Sequence, residues 1–262
     1  LAASLVSTSV FAGEVTVSGG ASMTVDGYST SGERNAGKGF SMGNQLTFTG
    51  GGELDNGLTV GISFVLDQGD DHPATAVSAA NNEARADSSP FDSHSVSISS
   101  DALGTLVMHG EGGSSAQAAL DTTAAGDIWD DFDGTTTGVA VETSASGADI
   151  LVYTLPSMVD GVSVSASYSP QQAAAASSTA YALTYTGFEG LSASYGKGDE
   201  NLGASTLDTD TTTMKASYAY GSFTAAYSNN DHDSAVANAD QETTSYKVSY
   251  TVSDAISVSY GT

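Results

Sequence analysis

The sequence predicts an all-β chain whose antiparallel strands close into a transmembrane β-barrel. Three observations predict it. Apolar residues recur at every second position in thirteen short stretches. The links between these stretches alternate between short and long. The polar parity of the stretches is mostly Ser, Thr and Gly, with charge concentrated in the links.

The stretches can be taken in order. Val15, Val17, Met23 and Val25 share one parity, with Thr16, Ser18, Ser22 and Thr24 on the other. Leu46 and Phe48 continue the pattern, and Leu58, Val60, Ile62, Phe64 and Leu66 show it most clearly. Val96 with Ile98, Leu106 with Met108, and an apolar patch over 150–155 follow. Next are Val162 to Tyr168, Tyr181 to Tyr185, Leu191 to Tyr195, Met214 to Tyr220 and Phe223 to Tyr227. Tyr246 to Val252 and Ile256 to Tyr260 close the series. Side chains of a strand alternate between its two faces, so each stretch has one apolar and one polar face. A soluble sheet carries Lys and Glu on its solvent face. Small neutral polar groups suit a wet lumen instead, and they leave the apolar parity for lipid.

Short links fall at 55–57, 101–104, 156–161, 187–190, Gly221 and Ser253-Asp254, and supply the Gly, Asn and Asp of tight hairpins. Longer polar links occupy 29–38, 68–91, 111–147, 170–176, 198–209 and 229–241. Turns at one end and loops at the other is how an outer-membrane barrel is arranged. Tyr28, Tyr168, Tyr195, Tyr227 and Tyr260 end strands that lead to long links, whereas Tyr185, Tyr220 and Tyr250 end strands that lead to short ones. Two tyrosine belts match two membrane interfaces.

Composition narrows the function. Six basic residues face 31 acidic ones, a net charge of −25, in a chain of 262 residues without cysteine. Phosphate binding requires Lys or Arg to displace counterions, so nucleic acid is excluded as a partner. No apolar run approaches the roughly 18 residues of a membrane-spanning helix. Residues 1–12 are uncharged and small or apolar, and read as the end of a secretory signal peptide. Val10 and Ala12 fit the cleavage positions, so the mature domain covers 13–262.

The third long link, 111–147, carries Asp121, Asp127, Asp130, Asp131, Asp133 and Glu142, no Lys or Arg, and the only tryptophan, Trp129. Loops beyond about 15 residues are functional or disordered in most domains. The reading is that this loop folds into the barrel and narrows it to a pore, starting with a short helix over 114–120. Parity places Lys215, Lys247 and His109 on the polar, lumen-facing side of their strands.

These residues resemble the general Gram-negative porins, especially the alphaproteobacterial branch. The resemblance rests on Glu14-Val15-Thr16-Val17-Ser18-Gly19, on Val162 to Ser169 after Pro156 to Gly161, and on Leu103 to Gly110. It implies a sixteen-stranded barrel, a homotrimer in the outer membrane, and a third loop folded inward as an acidic eyelet facing basic wall residues. His109, Lys215 and Lys247 are few for such a wall. It also implies passive passage of small hydrophilic solutes and cations, with the lipid bilayer and lipopolysaccharide as surroundings. Thirteen strands leave two open edges. In hydrocarbon each edge costs on the order of 20 kcal/mol, beyond the roughly 5–15 kcal/mol stability of a domain. The chain is therefore expected to be truncated at its C-terminus, about three strands short of sixteen.

Other chemistry has less support. His72, His94, His109 and His232 are scattered, with no zinc spacing or nucleophile elbow, and no cofactor is implied. Asn229, Asp231, Asp233 and Asp240 approach the spacing of an EF-hand loop and form a candidate for loose calcium binding, although Ser234 stands where glycine is needed. The alternative function is a secreted, acidic, Ser/Thr-rich β-sheet adhesin or surface-layer protein without a channel. Its apolar parity would be buried between stacked sheets.

Overall fold

The computed structural model describes residues 15–28, 37–67, 91–120, 141–170, 177–201, 208–237, 239–253 and 256–262. The signal remnant expected over 1–12 lies outside them. The chain divides into two compact units, 1–98 and 99–262.

The first unit is built from β1 (Thr16–Tyr28), β2 (Gly37–Glu53), β3 (Thr59–Asp67) and β4 (Ser93–Ser100), whose last two residues belong to the second unit. β1, β2 and β3 pair antiparallel in sequence order, with Val17 opposite Phe48 and Phe48 opposite Phe64. One parity is thus a continuous apolar row. The turn into β3 follows its sequence closely. Gly57 takes φ 80°, Gly57 N–H donates to Leu54 O at 2.8 Å, and Leu58 N–H donates to Asn56 Oδ1 at 3.1 Å. A positive φ costs glycine nothing, and the Asn side chain satisfies a donor that the turn exposes.

The second unit holds β5 (Gly104–Glu111), β6 (Gly113–Ser114), β7 (Ser146–Gly147), β8 (Ile150–Thr154), β9 (Val162–Ser169), β10 (Ser177–Tyr185), β11 (Leu191–Asn201), β12 (Thr209–Tyr220), β13 (Phe223–Ser234), β14 (Gln241–Ser253) and β15 (Ile256–Gly261). β5 pairs with β8, and from β8 onward each strand pairs antiparallel with the next. β6 and β7 form a separate ribbon. Leaving out that ribbon, thirteen strands are described, one for each alternating stretch.

Strand lengths depart from expectation on the long-link side. β2 begins at Gly37, β11 runs to Asn201 and β13 runs to Ser234, past Tyr195 and Tyr227. Backbone pairing continues where both faces are polar, so the ladder persists after the alternation in hydropathy has ended. Tyr195 and Tyr227 therefore mark a level partway along their strands, whereas Tyr28, Tyr185 and Tyr220 do end theirs. At that level Tyr181 lies 6.3 Å from Tyr195, and Tyr227 lies 5.3 Å from Tyr246, between ring centroids. Toward the short turns Phe223 meets Tyr250 at 4.6 Å and Phe188 meets Tyr218 at 6.3 Å.

The two faces of the second unit are inverted relative to a soluble sheet. Tyr168, Tyr181, Leu183, Met214, Tyr218, Phe223, Tyr246 and Val248 are exposed, whereas Ser167, Ser178, Thr211, Thr213, Ser228, Asn230 and Ser245 on the same strands are buried. Among the described residues, the apolar cluster of buried residues is Ala116, Ala180 and Ala182, with Leu120 against it. Leaving the large side chains in water forgoes about 25 cal/mol for each Å² of apolar surface, which hydrocarbon surroundings restore. The adhesin alternative required the apolar parity to be covered by a second sheet, and in this unit that parity is open. Among the described residues no helix is long and apolar enough to cross a membrane, which says nothing about strands.

Candidate functional site

The polar face is covered by the two limbs of the third loop. β5 ends at Glu111, and Gly112 turns the chain at φ 69°. β6 then pairs with β7, Gly113 opposite Gly147 and Ser114 opposite Ser146, which joins the outgoing limb to the returning one. Gly113 has no side chain because His109 fills that space; an added Cβ would stand 2.7 Å from His109 Cβ. Ser115 N–H donates to Ala145 O at 2.9 Å and closes the base further.

Residues 115–120 form a single turn, which corrects the helix expected over 114–120. Ala119 N–H donates to Ser115 O at 2.9 Å, but Leu120 N–H donates to Gln117 O at 3.0 Å, three residues back. Ser115 Oγ accepts the Ala118 N–H at 3.0 Å. One turn fixes several backbone angles for very few bonds, and seven residues are too few to recover that cost as helix. Ser115 and Gln117 bond elsewhere.

Those bonds form a closed circuit. Gln117 Nε2 donates to Thr213 Oγ1 on β12 at 2.7 Å. Thr213 Oγ1 donates to Asn230 Oδ1 on β13 at 2.6 Å. Asn230 Nδ2 donates to Glu142 O on the returning limb at 2.9 Å. Two residues on, Ser144 N–H and Ser144 Oγ both donate to Gln117 Oε1 at 2.8 Å. Gln117 and Thr213 are 0% exposed, Ser144 and Asn230 1%. Outside the ring, Ser115 Oγ meets Ser144 Oγ at 2.7 Å, Ala116 N–H donates to Ser167 Oγ at 2.9 Å, and Glu142 N–H donates to Gln241 Oε1 at 3.2 Å. Each bond contributes about 1 kcal/mol net, and leaving one such buried partner unsatisfied costs about 1–3 kcal/mol.

β11 makes room for this root with two glycines of the polar parity. A Cβ on Gly196 would stand 2.6 Å from Leu120 Cδ1 and 3.2 Å from Gln117 Cα, and one on Gly198 would overlap the Ser144 side chain. Glycine weakens a strand interior, and its presence there marks another backbone's close approach.

The structure brings only part of the expected site together. Glu142 has an exposed side chain, and its backbone is built into the root. Asp121, Asp127, Asp130, Asp131 and Asp133 lie outside the described residues. His109 lies opposite Ile150, which is buried. Lys215, level with Ser194 and Ser228, and Lys247, level with Ala226, share the polar face with the root. Each is two residues from a buried residue of that face, Thr213 and Ser245. Lys197 is on the other parity, beside Tyr195, and its Nζ pairs with Asp210 Oδ1 at 3.1 Å.

The EF-hand-like spacing of the sequence falls on a strand. Asn229, Asp231 and Asp233 occupy alternate positions of β13, where an EF-hand site requires a curled loop. Alternate residues of a strand stand in a row on one face, roughly 6.5 Å apart. Asn229 Nδ2 instead donates to Glu242 Oε1 at 3.1 Å and Thr244 Oγ1 at 2.9 Å, while Asp240 Oδ1 accepts the Ser234 N–H at 2.9 Å. Among the described residues no group of three or more His, Asp or Glu is arranged to hold a metal. Sequence reasoning missed Gln117, Ser144, Thr213, Asn230, Gly196 and Gly198. The glycine pair in a strand was the one available signal.

An antiparallel sheet with an exposed apolar face, and with both limbs of a long loop bonded to its polar face, is built as the wall of a membrane barrel. The chain belongs to the Gram-negative porin family, whose match covers residues 1–262. Among solved structures, a porin refined at 1.8 Å resolution is similar at 22% identity and a TM-score of 0.59, over 95% of this chain and 82% of its own. The anion-selective porin from Comamonas acidovorans is similar at 16% identity and a TM-score of 0.52, over 95% and 78%. Comparison with the curated proteins finds no match. The fold is thus the porin β-barrel, and the protein is a channel of the Gram-negative outer membrane.

Proposed function

We propose that the chain is a general diffusion porin, passing small hydrophilic solutes and ions passively, and that its third loop gives it a preference for cations. One observation carries this reading: both limbs of 111–147 are fixed on the polar face by a buried hydrogen-bond circuit. The residues between those limbs therefore leave from and return to the interior side. They include Asp121, Asp127, Asp130, Asp131 and Asp133, with no basic residue among them. On this reading His109, Lys215 and Lys247 are the lumen-wall partners of these acids, and the working assembly is a homotrimer in a lipid bilayer that includes lipopolysaccharide.

The related Comamonas protein is anion-selective. One fold thus accommodates either sign, and selectivity has to come from each chain's own charges. One carboxylate at about 10 Å through water contributes roughly 0.4 kcal/mol. Five add to about 2 kcal/mol, and screening over a Debye length of about 8 Å leaves roughly 0.6 kcal/mol, a threefold preference. Reversal potential across a planar bilayer in a KCl gradient tests this. A cation-directed potential that shrinks as salt rises supports the reading; a value at zero or directed toward chloride overturns the cation preference. No ion steps at all would overturn the channel.

A further inference from the structure

We propose that Gln117 is a positioning residue, whose amide fixes where the root of the third loop stands on the channel wall and so keeps the passage at a steady width. This rests on the diffusion-channel reading above and adds the device that holds the loop still.

Gln117 joins three separate parts of the chain. Its Nε2 reaches Thr213, 96 residues away on β12, and its Oε1 takes both the backbone and side-chain protons of Ser144 on the returning limb. The circuit closes through Asn230 on β13 and the Glu142 carbonyl, so the Gln117 amide ties one limb to the other and the outgoing limb to β12, while Asn230 ties the returning limb to β13. The side chain is fully buried, in a slot that β11 opens by having glycine at 196 and 198.

Removing the amide leaves the Ser144 N–H without its acceptor in a buried place. Buried backbone donors are almost always paired, so the cheapest repair is water entering between root and wall. The ribbon of β6 and β7 and the Ser115–Ser144 contact would still join the two limbs, but the tie from Gln117 to β12 would be gone. The root would then shift on the wall, and ionic current would register the shift as noise.

The test is single-channel recording of the full-length protein in planar bilayers. Gln117→Ala is expected to raise open-channel current variance about fivefold, the equivalent of one lost net hydrogen bond. Thr213→Val, which removes the wall partner of Gln117 and the hydroxyl bonded to Asn230 while keeping the Gln117–Ser144 bonds, should act in the same direction. It carries the test if Gln117→Ala fails to assemble. The chain has no cysteine, and a Cβ at position 196 of β11 would stand 3.5 Å from Gln117 Cβ, so Gln117→Cys with Gly196→Cys removes the amide and offers a single disulfide between root and wall. Oxidised, that double variant should return close to the unmodified variance, and a reductant should restore the noise. Variance unchanged in the amide-free variants, or noise that the closed disulfide does not suppress, overturns the proposal while leaving the channel reading intact. An unmodified protein that gives no ion steps removes the channel reading itself.

Discussion

The two faces of β10 to β14 have the same backbone and opposite surroundings. On one face Tyr181, Met214, Tyr246 and Val248 are open. On the other, Thr213, Asn230 and Ser245 are closed over. A soluble domain buries its apolar face and wets its polar one. Here the large apolar side chains stay open although some touch neighbours on their own face, as Tyr181 does Tyr195, whereas the small polar ones bond to the limbs of the loop. The difference shows which solvent each face was selected for: hydrocarbon outside, and water with a hydrogen-bonded loop inside. It also explains why the polar face is made of Ser, Thr, Gly and Asn. Small side chains leave room for the loop root, and their hydroxyls and amides supply the bonds it needs.

Breaking the outer face should have the largest effect. Val248 is outward between Tyr246 and Tyr250, and Val248→Arg is expected to cost about 2–4 kcal/mol of folding into lipid vesicles. Ser249→Arg, one residue along on the polar parity, should cost under about 1 kcal/mol, because lumen positions accept charge. Denaturant titration in vesicles measures both. Equal costs at the two positions would erase the distinction between the faces.

On the inner face, Gly198→Val is the sharper probe. Its side chain would overlap Ser144, and overpacking of this kind costs about 1–3 kcal/mol. Asn230→Ala is expected to cost about 1–3 kcal/mol by stranding the Glu142 carbonyl and the Thr213 hydroxyl. The same titration reports both, and variants as stable as the parent would mean the root is not packed on this wall.

Much of this was legible in the sequence, and the boundary has a physical cause. Leu58 to Leu66, Tyr246 to Val252 and the Asn56-Gly57 turn announce themselves, because lipid facing and positive φ each demand particular residue types at fixed spacing. The extensions of β11 to Asn201 and of β13 to Ser234 did not, since both faces there are polar and hydropathy loses its period. That misreading also produced the calcium expectation, which took the Asn229 to Asp233 strand for a loop. The root of the third loop was hidden for another reason. Ser115-Ala116-Gln117 is plain in composition, and its meaning lies in Thr213, 96 residues on from Gln117. The residues that fix the two limbs on the polar face carry no signal of that role in the sequence.

The smallest expected effect concerns selectivity. Neutralising Asp130, Asp131 and Asp133 together should lower a roughly threefold cation preference to under twofold, read as a fall in reversal potential. An unchanged potential would move the origin of selectivity to other charges.

The central assignment of faces has one direct measurement. Because the chain has no cysteine, Ala216→Cys and Ser217→Cys place a single fluorescent label on adjacent positions of opposite parity in β12. In reconstituted vesicles the label at 216 should be quenched by a lipid-borne quencher and the label at 217 by a water-soluble one. The reverse pattern, or aqueous quenching at both, would contradict an apolar parity that faces lipid.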